Sequence, residues 1–579
     1  MNPADGYLLL RVFVDELVRC GVEHACTSPG SRCTPIVLTI AREPRLRCWS
    51  HIDERCSGFF ALGVAKASGR PAVVTCTSGT AAANLLPAVV EASEARVPMI
   101  VLSADRPPEL RGIGAGQTID QLKLFGGAVK WFFELGVHEA TPERLRWARA
   151  LACRAFWTAT EAPCGVVHLN VPLREPLVLE RPLDGDPGDG GRPHGAPWVR
   201  VAPAGPTDTD SGRERVPSNG GRPVIVAGAL SPDPRVGRAL AKLAAGAGVP
   251  LLADPLSNAR TGPAAVAHYD LILRERETAR ALAPSAVWRV GELPTSKPLR
   301  TWLAGLDVPQ TALVANGTWQ DPDSALTDRT QAGIPVLMKQ LEYDLGPSCD
   351  ASWLSRWETA DAAVASSIAE SLGDESLSEP LAAGALATAL PAGATLFVAS
   401  SMPIRDLETY MPAGDDPPRV LSNRGANGID GTVSTAFGVA ATSGSGPVVL
   451  LIGDVALAHD IGGLMAARRE RLALTIVVLN NDGGGIFHFL PVSGAHDTFE
   501  RHVATPHGLD FERLASGFGC RFGRATTPGA LLQALEDSLG SGETTVIEVR
   551  TDRAVNLALH RDVERAACAR LRELSAVRG

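Results

Sequence analysis

The sequence predicts an α/β fold built from repeated parallel-sheet units, and three observations carry that reading. Short runs of branched apolar residues alternate with helical stretches and end in polar or glycine-rich turns, the pattern of buried parallel strands joined by crossover helices. One such unit occurs twice: 34 positions separate Pro71 from Asp105 and 35 separate Pro447 from Asp482, each interval holding strand, small-residue turn, helix, strand and polar turn. A further α/β unit opens between the copies, at Pro223-Val224-Ile225-Val226-Ala227-Gly228. Strand-helix-strand units are common, so the repeat alone does not separate duplication from coincidence.

Along the chain, Tyr7 to Leu17 is interrupted by charges at helical spacing and reads as an amphipathic opening helix rather than a signal peptide. His51-Ile52-Asp53-Glu54-Arg55 precedes a small-residue helix, Gly58 to Ala67, which puts Glu54 at a strand-to-helix junction. Ala72 to Cys76 then runs into Thr77-Ser78-Gly79-Thr80, a helix through Glu91, and a strand Val97 to Leu102 that ends at Asp105-Arg106-Pro107. Residues 182–222 are crowded with Gly, Pro, Asp and Ser, lack periodicity and read as a surface linker. The strand-like runs Val249 to Ala253, Tyr269 to Leu273, Ala286 to Val290 and Ala312 to Val314 suit a central Rossmann-like domain. Gly228 invites a nucleotide reading, but Ala227-Gly228-Ala229 has neither a GxGxxG turn nor a well-placed acidic residue, which favours a structural domain. The helix Trp353 to Leu372 leads to a last sheet beginning near Thr395 to Val398. The expected domains are residues 1–181, a linker 182–222, a central domain 223–379 and a last domain 380–579.

At 579 residues and 45% hydrophobic content, the composition is that of a soluble globular protein of three or four domains. A net charge of −9 without a dominant basic cluster argues against a nucleic-acid surface, and Arg468-Arg469-Glu470-Arg471 reads as a solvated helix face. The eleven cysteines form no CxxC pair and no dense secreted pattern, so reduced thiols in a cytoplasmic protein are expected. No apolar run is long enough to span a membrane.

Toward the C-terminal end, Gly453-Asp454 precedes a helical stretch, and the strand Leu474 to Leu479 runs straight into Asn480-Asn481-Asp482-Gly483-Gly484-Gly485. A carboxylate at one strand end, an Asn side chain at the next and the Gly483 carbonyl are hard oxygen donors of low charge, which suits Mg²⁺ shared with a diphosphate. In a parallel sheet both ends face the crevice where ligands bind, and the glycines let backbone N–H groups approach phosphate. The plainer alternative is two ordinary turns with Asp and Asn as turn or cap residues.

Glu54 in its Asp-Glu-Arg context, Gly453-Asp454 and Asn480-Asn481 resemble the thiamine diphosphate (ThDP) enzymes. Five motifs in order, Ser28-Pro29-Gly30-Ser31-Arg32, Thr77-Ser78-Gly79-Thr80-Ala81, Ala104 through Leu110, Ser422-Asn423-Arg424-Gly425 and Asn480 through Phe487, are similar to one family among them. Its members make 2-succinyl-5-enolpyruvyl-6-hydroxy-3-cyclohexene-1-carboxylate (SEPHCHC) in menaquinone biosynthesis. The resemblance covers both outer domains and matches the middle weakly. It implies three Rossmann-like parallel-sheet domains (pyrimidine, central and diphosphate), with ThDP and Mg²⁺, or Mn²⁺, as cofactors. The implied transferase decarboxylates 2-oxoglutarate and adds the succinyl unit to isochorismate.

By the same resemblance, Glu54 would hydrogen-bond N1′ of the pyrimidine and be the catalytic residue; its plain alternative is a surface glutamate paired with Arg55. Ser400, Met402, Gly453, Asp454, Asn481, Gly483 and Ile486 would hold the cofactor, with Asp454, Asn481 and Gly483 also holding the metal. Ile486 would prop the cofactor rings, and Phe487 would bind substrate by packing against its ring. Each substrate brings two carboxylates, and the planar fork of arginine suits carboxylates best. Arg32, Arg106, Arg405 and Arg424 match substrate-facing turns, with Ser31, Gln117 and Ser401 adding neutral hydrogen bonds. Lys297 matches a middle-domain basic position, although Pro298 stands where some relatives carry arginine. Val455 replaces the last glycine of the broader Gly-Asp-Gly pattern, and Gly462 stands where Asn often follows His459-Asp460. The family builds each site from two subunits, which implies a homodimer or homotetramer with no nucleic-acid or membrane partner.

Two rivals make different demands. An acetolactate synthase-like enzyme acting on pyruvate calls for a flavin-binding middle domain, for which the sequence shows no feature, and has no use for the arginines. A non-catalytic paralogue has no need to keep Glu54, Asp454 and Asn481 together. A serine hydrolase reading of Thr77 to Thr80 fails for want of a GxSxG elbow.

Overall fold

The computed structural model describes residues 3–179, 183, 190–201, 221–346, 350–373, 376–442, 444 and 446–578. Three six-stranded sheets, parallel at every pairing, carry the fold. The first comprises β1 (His24–Thr27), β2 (Arg47–Ser50), β3 (Ala72–Cys76), β4 (Met99–Asp105), β5 (Trp131–Glu134) and β6 (Val166–Pro172), in the order β2-β1-β3-β4-β6-β5. The middle sheet comprises β7 (Pro223–Ala227), β8 (Leu251–Ala253), β9 (Ala265–Val266), β10 (Ala286–Val290), β11 (Gln310–Val314) and β12 (Asp328–Gln331), in the order β12-β11-β10-β7-β8-β9. The third comprises β13 (Thr395–Val398), β14 (Arg419–Ser422), β15 (Val448–Gly453), β16 (Thr475–Asn480), β17 (Arg521–Ala525) and β18 (Thr545–Arg550), in the order β14-β13-β15-β16-β18-β17.

The first and third sheets therefore share one topology, and the repeat seen in the sequence spans the third-to-fourth strand unit of each, β3 to β4 and β15 to β16. The middle sheet has the Rossmann order instead. Residues of β3, β4, β6 and β16 are all buried, which explains their near-continuous Val, Ile and Leu content: crossover helices cover both faces of a parallel sheet.

Two local expectations are corrected. Tyr269 to Leu273 is not a strand, since Tyr269–Ile272 is helical. Asp270 there accepts a hydrogen bond of 2.6 Å from Ser296 Oγ, while Tyr269 and Ile272 enter an apolar cluster with Trp353 and Trp357. A five-residue apolar run does not distinguish a strand from a buried helical turn by periodicity. The helix expected through Glu91 is split at Leu85 into Thr80–Asn84 and Leu86–Glu94, with Pro87 in the first turn of the second piece. Of the expected linker, only residues 183, 190–201 and 221–222 are described. The Arg468 to Arg471 face is more than solvated: Arg469 Nε donates to the Ser50 carbonyl (3.3 Å), and Glu470 accepts from Ser50 N (3.1 Å).

The chain forms two compact units. One contains Met1–Pro203, Asn423–Gly444 and His459–Leu472; the other contains Ala204–Ser422, Ser445–Ala458 and Ala473–Gly579. Within the first, the helices Glu54–Ser68 and Thr432–Thr442 pack backbone to backbone. A Cβ on Gly63 would lie 2.0 Å from the Thr435 carbonyl oxygen, and one on Gly438 would lie 2.1 Å from that of Phe60, so this crossing explains the small residues of both helices. Among the described residues no helix is long and apolar enough to cross a membrane.

Candidate active site

In the first unit, Asp53 caps the helix Glu54–Ser68 by accepting from Arg55 N (2.9 Å), and the Arg55 guanidinium closes on the same carboxylate at 2.6 Å. Arg55 is thereby committed to Asp53, not to Glu54. Glu54, the first residue of the helix, is half-buried, and desolvation raises its carboxyl above the ordinary range in spite of the helix N-terminus. A carboxyl held that way can serve as both donor and acceptor.

The exits of β1, β3 and β4 converge. A Cβ on Gly30 would lie 2.3 Å from Thr77 Cβ, so the two turns touch through the missing side chain. Ser78 is the hub: its Oγ accepts from the Arg106 guanidinium and donates to the Gln117 carbonyl (3.0 Å), while Gln117 Nε2 donates to the Ser78 carbonyl (3.1 Å). Arg32 lies close enough to Arg106 to help depress its pKa, after burial. Buried Arg32 also donates to the Leu173 carbonyl (2.8 Å) and pairs with Glu175 (3.2 Å), while its Nε is buried without a partner. Ser31 is exposed beside it. Below these turns the polar groups satisfy one another. Asn170 donates to Asp105 (2.8 Å), Gln121 and Ser103 donate to Asn170 (3.0 and 2.9 Å), and Arg111 pairs with Asp105 (2.9 Å).

Arg424 is half-buried on a turn clamped by buried Glu91, whose two oxygens accept from Gly425 N (2.9 Å) and Ala426 N (2.7 Å). Asn423 fixes the same turn, accepting from Lys66 Nζ (3.0 Å) and donating to Thr435 Oγ1 (2.9 Å).

In the second unit, Gly453 ends β15 and Asp454 follows, almost wholly buried. Asp454 Oδ1 accepts from Val455 N (2.7 Å), and Oδ2 accepts from Asn481 N (3.1 Å) and Gly483 N (2.9 Å), with His507 Nε2 at 3.2 Å. Two strand exits are thus fastened around one carboxylate. Asn481 Nδ2 donates to Glu379 Oε1 (2.8 Å), which also accepts from Thr551 Oγ1 (2.8 Å), and Asn481 Oδ1 is left buried without a partner. A buried amide oxygen with no donor is costly, and a hard cation is a partner that would satisfy it. Glu379 is pushed up to about 7 by burial and then by the nearby charge of Asp406. The Gly483 carbonyl accepts only from Gly485 N (2.9 Å) among backbone groups, leaving a lone pair. Gly485 admits no Cβ, which would sit 2.7 Å from Asn481 Nδ2. Carboxylate, unpartnered amide oxygen and carbonyl form a donor set that fits Mg²⁺, and the glycines keep the turn open to a diphosphate. Ile486 is half-buried and Phe487 exposed on the following 3₁₀ turn, Gly485–Phe489.

Ser400 and Met402, both buried, follow β13, and between them Ser401 adopts φ +77°, ψ −133°. Gly79, at the exit of β3, has nearly the same angles, +82° and −139°. Arg405, exposed one turn on, donates to the Ser401 carbonyl (2.5 Å) and lies near Arg300. Lys297 is exposed at the first turn of the helix Lys297–Ala304, whereas Arg300, on the next turn, has a buried unpartnered Nε. Glu379, Thr551, His507 and Arg300 escaped sequence reasoning. Glu379 directly follows the helix-capping Ser378 and looks like an ordinary first-turn acid; only its burial reveals more.

Known proteins match this chain throughout. The N-terminal TPP binding domain of thiamine pyrophosphate enzymes matches residues 9–124, the middle domain of thiamine pyrophosphate residues 194–398, and the C-terminal TPP binding domain residues 405–549. A relative from Geobacillus kaustophilus is 44% identical over 570 residues, covering 95% of each chain. One from Chloroflexus aurantiacus is 43% identical over 575 residues, covering 94% of this chain and 93% of its own, and one from Rubrobacter xylanophilus is 43% identical over 581 residues, covering 98% and 99%. All three are named 2-succinyl-5-enolpyruvyl-6-hydroxy-3-cyclohexene-1-carboxylate synthase. With such identity along nearly its whole length, and with the N-terminal, middle and C-terminal domains matched in order along the chain, the chain belongs to the SEPHCHC synthase family of thiamine diphosphate-dependent enzymes.

Proposed function

We propose that this chain decarboxylates 2-oxoglutarate and adds the succinyl unit to isochorismate, giving SEPHCHC and CO₂ in menaquinone biosynthesis. The observation that carries the reading is the buried, unpartnered Asn481 Oδ1 beside Asp454, two strand exits arranged for a hard cation. Asp454, Asn481 and the Gly483 carbonyl hold Mg²⁺, with Mn²⁺ an acceptable substitute, and Gly453, Ser400, Met402 and Ile486 complete the ThDP site. When bound, ThDP supplies the electron sink that makes loss of CO₂ from a 2-oxo acid possible. Glu54 exchanges a proton with the ring nitrogen N1′, and its raised pKa suits that task. Arg32, Arg106, Arg405 and Arg424, with Ser31, Gln117, Ser401 and Lys297, hold the substrate carboxylates and hydroxyls. Ile486 props the cofactor rings and Phe487 packs against the substrate ring, and excluding water matters there because protonation of the intermediate would waste it. The domains run over 1–181, 223–379 and 380–579, with 182–222 as linker, in a cytoplasmic homodimer or homotetramer with sites at the subunit interface.

Incubation with ThDP, Mg²⁺, 2-oxoglutarate and isochorismate, with mass analysis of products, tests the reaction; absence of a SEPHCHC mass rejects it. Arg405→Ala and Arg424→Ala test the carboxylate clamp. Losing one charge-assisted bond, about 1.5–3 kcal/mol, lowers kcat/KM roughly 10- to 150-fold. Values measured separately for the two substrates assign each arginine, and wild-type values in both variants reject the clamp.

A further inference from the structure

The helix Pro3–Cys20 ends on a cysteine, and Cys153 of the helix Pro142–Thr160 faces it across 133 residues of sequence, with the two Sγ atoms 3.6 Å apart. Glu16, one turn before Cys20, brings Oε1 to 3.5 Å from Cys153 Sγ. Arg149, one turn before Cys153, binds Glu16 Oε2 at 2.8 Å and Asp15 at 2.7 Å, so the carboxylates are held in place. The segment beyond the first sheet closes over the group: Trp198 N donates to Glu16 Oε1, and Val199 N donates to Cys153 Sγ at 3.3 Å. Cys153 is wholly buried, whereas Cys20 is partly exposed. The hydrogen bonds from Cys20 and Val199 favour the charged form of Cys153, and the bond to Cys153 followed by burial makes Cys20 the harder of the two to ionise. The two sulfurs therefore have different roles: one is reachable, and the other is an oriented nucleophile with a base beside it.

We propose that Cys20 and Cys153 are a thiol–disulfide exchange site for small disulfides such as oxidised glutathione. Cys20, the reachable sulfur, attacks one sulfur of the small disulfide as its proton passes along the existing hydrogen bond to the Cys153 thiolate; that S–S bond breaks, and a small thiolate leaves and is protonated by water. Cys153 gives its proton to Glu16 and attacks Cys20 Sγ, forming the intramolecular S–S bond and expelling the second small thiolate, which is protonated in turn. Two protein thiols are oxidised to one disulfide, and one small disulfide is reduced to two thiols. A disulfide near 2.05 Å requires the sulfurs to approach by about 1.5 Å, a side-chain rotation at two helix surfaces already in contact. The product staples the opening helix to the helix Pro142–Thr160.

The full-length chain is incubated with oxidised glutathione, alkylated with iodoacetamide and mapped by peptide mass. Cys20 and Cys153 should lose alkylation together, appear as one linked peptide and be recovered by dithiothreitol, with a higher Tm in the oxidised protein. Cys153→Ser should stop at a glutathione adduct on Cys20, Cys20→Ser should leave Cys153 alkylated, and neither variant should show the Tm shift. A stable adduct on Cys20 of the unaltered protein with Cys153 still free would overturn the proposal. So would release of Zn²⁺ from both thiols of the purified protein to a chromogenic chelator, which would make Glu16, Cys20 and Cys153 a metal site.

Discussion

The first and third sheets have the same strand order, yet they use the same strand ends for different purposes. At the exit of its fourth strand, β4, the first sheet carries Asp105, closed off by Asn170 and Arg111. The third carries Asn480 and Asn481 at the end of β16, where the Asn481 amide oxygen has no partner. At the third-strand exits, Thr77-Ser78-Gly79 presents neutral groups tied to Gln117 and Gln121, while Gly453-Asp454 presents a carboxylate gathered by backbone N–H groups. Duplicated topology places strand ends, but it does not say which are active. What separates the two fourth-strand exits is polar satisfaction: Asp105 is matched inside the fold, whereas the Asn481 amide oxygen is not.

Glu54 begins the helix that follows β2 of the first sheet, and changing it should have the largest effect. Glu54→Gln keeps the shape and removes the acid, so kcat should fall about 10²- to 10⁴-fold with ThDP binding retained. Saturating-cofactor kinetics within a few-fold of the unaltered protein would leave Glu54 a structural role only. Glu379→Leu sharpens the contrast from the other side. It releases the Asn481 amide from its anchor, and Mg²⁺ affinity in the presence of ThDP should drop about 10- to 100-fold by calorimetric titration. Fold stability should fall by about 1–3 kcal/mol, since Asn481 Nδ2 and Thr551 Oγ1 lose their acceptor; unchanged Mg²⁺ affinity would show that Asn481 needs no anchor.

Ser401→Gly probes the shared backbone conformation of Ser401 and Gly79, which suits glycine and costs another residue about 1–3 kcal/mol. Offset by the roughly 0.5–1 kcal/mol entropic cost of glycine, the variant should gain about 1 kcal/mol in urea unfolding. It should lose kcat/KM, and loss of stability would show that Ser401 is unstrained. The smallest effect is a pH dependence. Asp460 is buried, accepts from Ser434 N (2.7 Å) and Ser434 Oγ (3.0 Å), and is pushed up from 3.8 to about 6 by burial. The folded state then holds a proton that the unfolded chain has released, so stability is full below pH 3.8 and is lost as pH rises through about 6. Asp460→Asn should flatten Tm against pH in that window, and an undiminished slope would place the titration elsewhere.

The sequence made the third sheet's site legible because its ligand types are unusual at strand ends: Gly-Asp and Asn-Asn are a small set of hard donors before glycines. The shared topology was legible in the interval between Pro71 and Asp105 and its copy. Glu379 was not, because it lies 102 residues before Asn481 and its importance comes from burial and from one oxygen receiving two donors. Arg32 stood out in its motif, but its bonds to Leu173 and Glu175 depend on the segment after β6, 141 residues away at Leu173. Arg300 went unnoticed beside Lys297 because sequence position does not reveal which turn of a short helix faces inward.

The close crossing of Glu54–Ser68 with Thr432–Thr442 has a consequence for synthesis. The earlier helix leaves the ribosome without the cover that Gly431 gives Phe59 and Thr435 gives Gly63, and its partner is translated more than 360 residues later. At about 5–20 residues per second that interval lasts roughly 20–70 s. For that time the nascent chain carries an apolar helix surface that no earlier segment of the Thr432–Thr442 kind can cover. A ribosome stalled before residue 432 should therefore retain chaperone on the N-terminal part of the chain, and one stalled after residue 472 should release it.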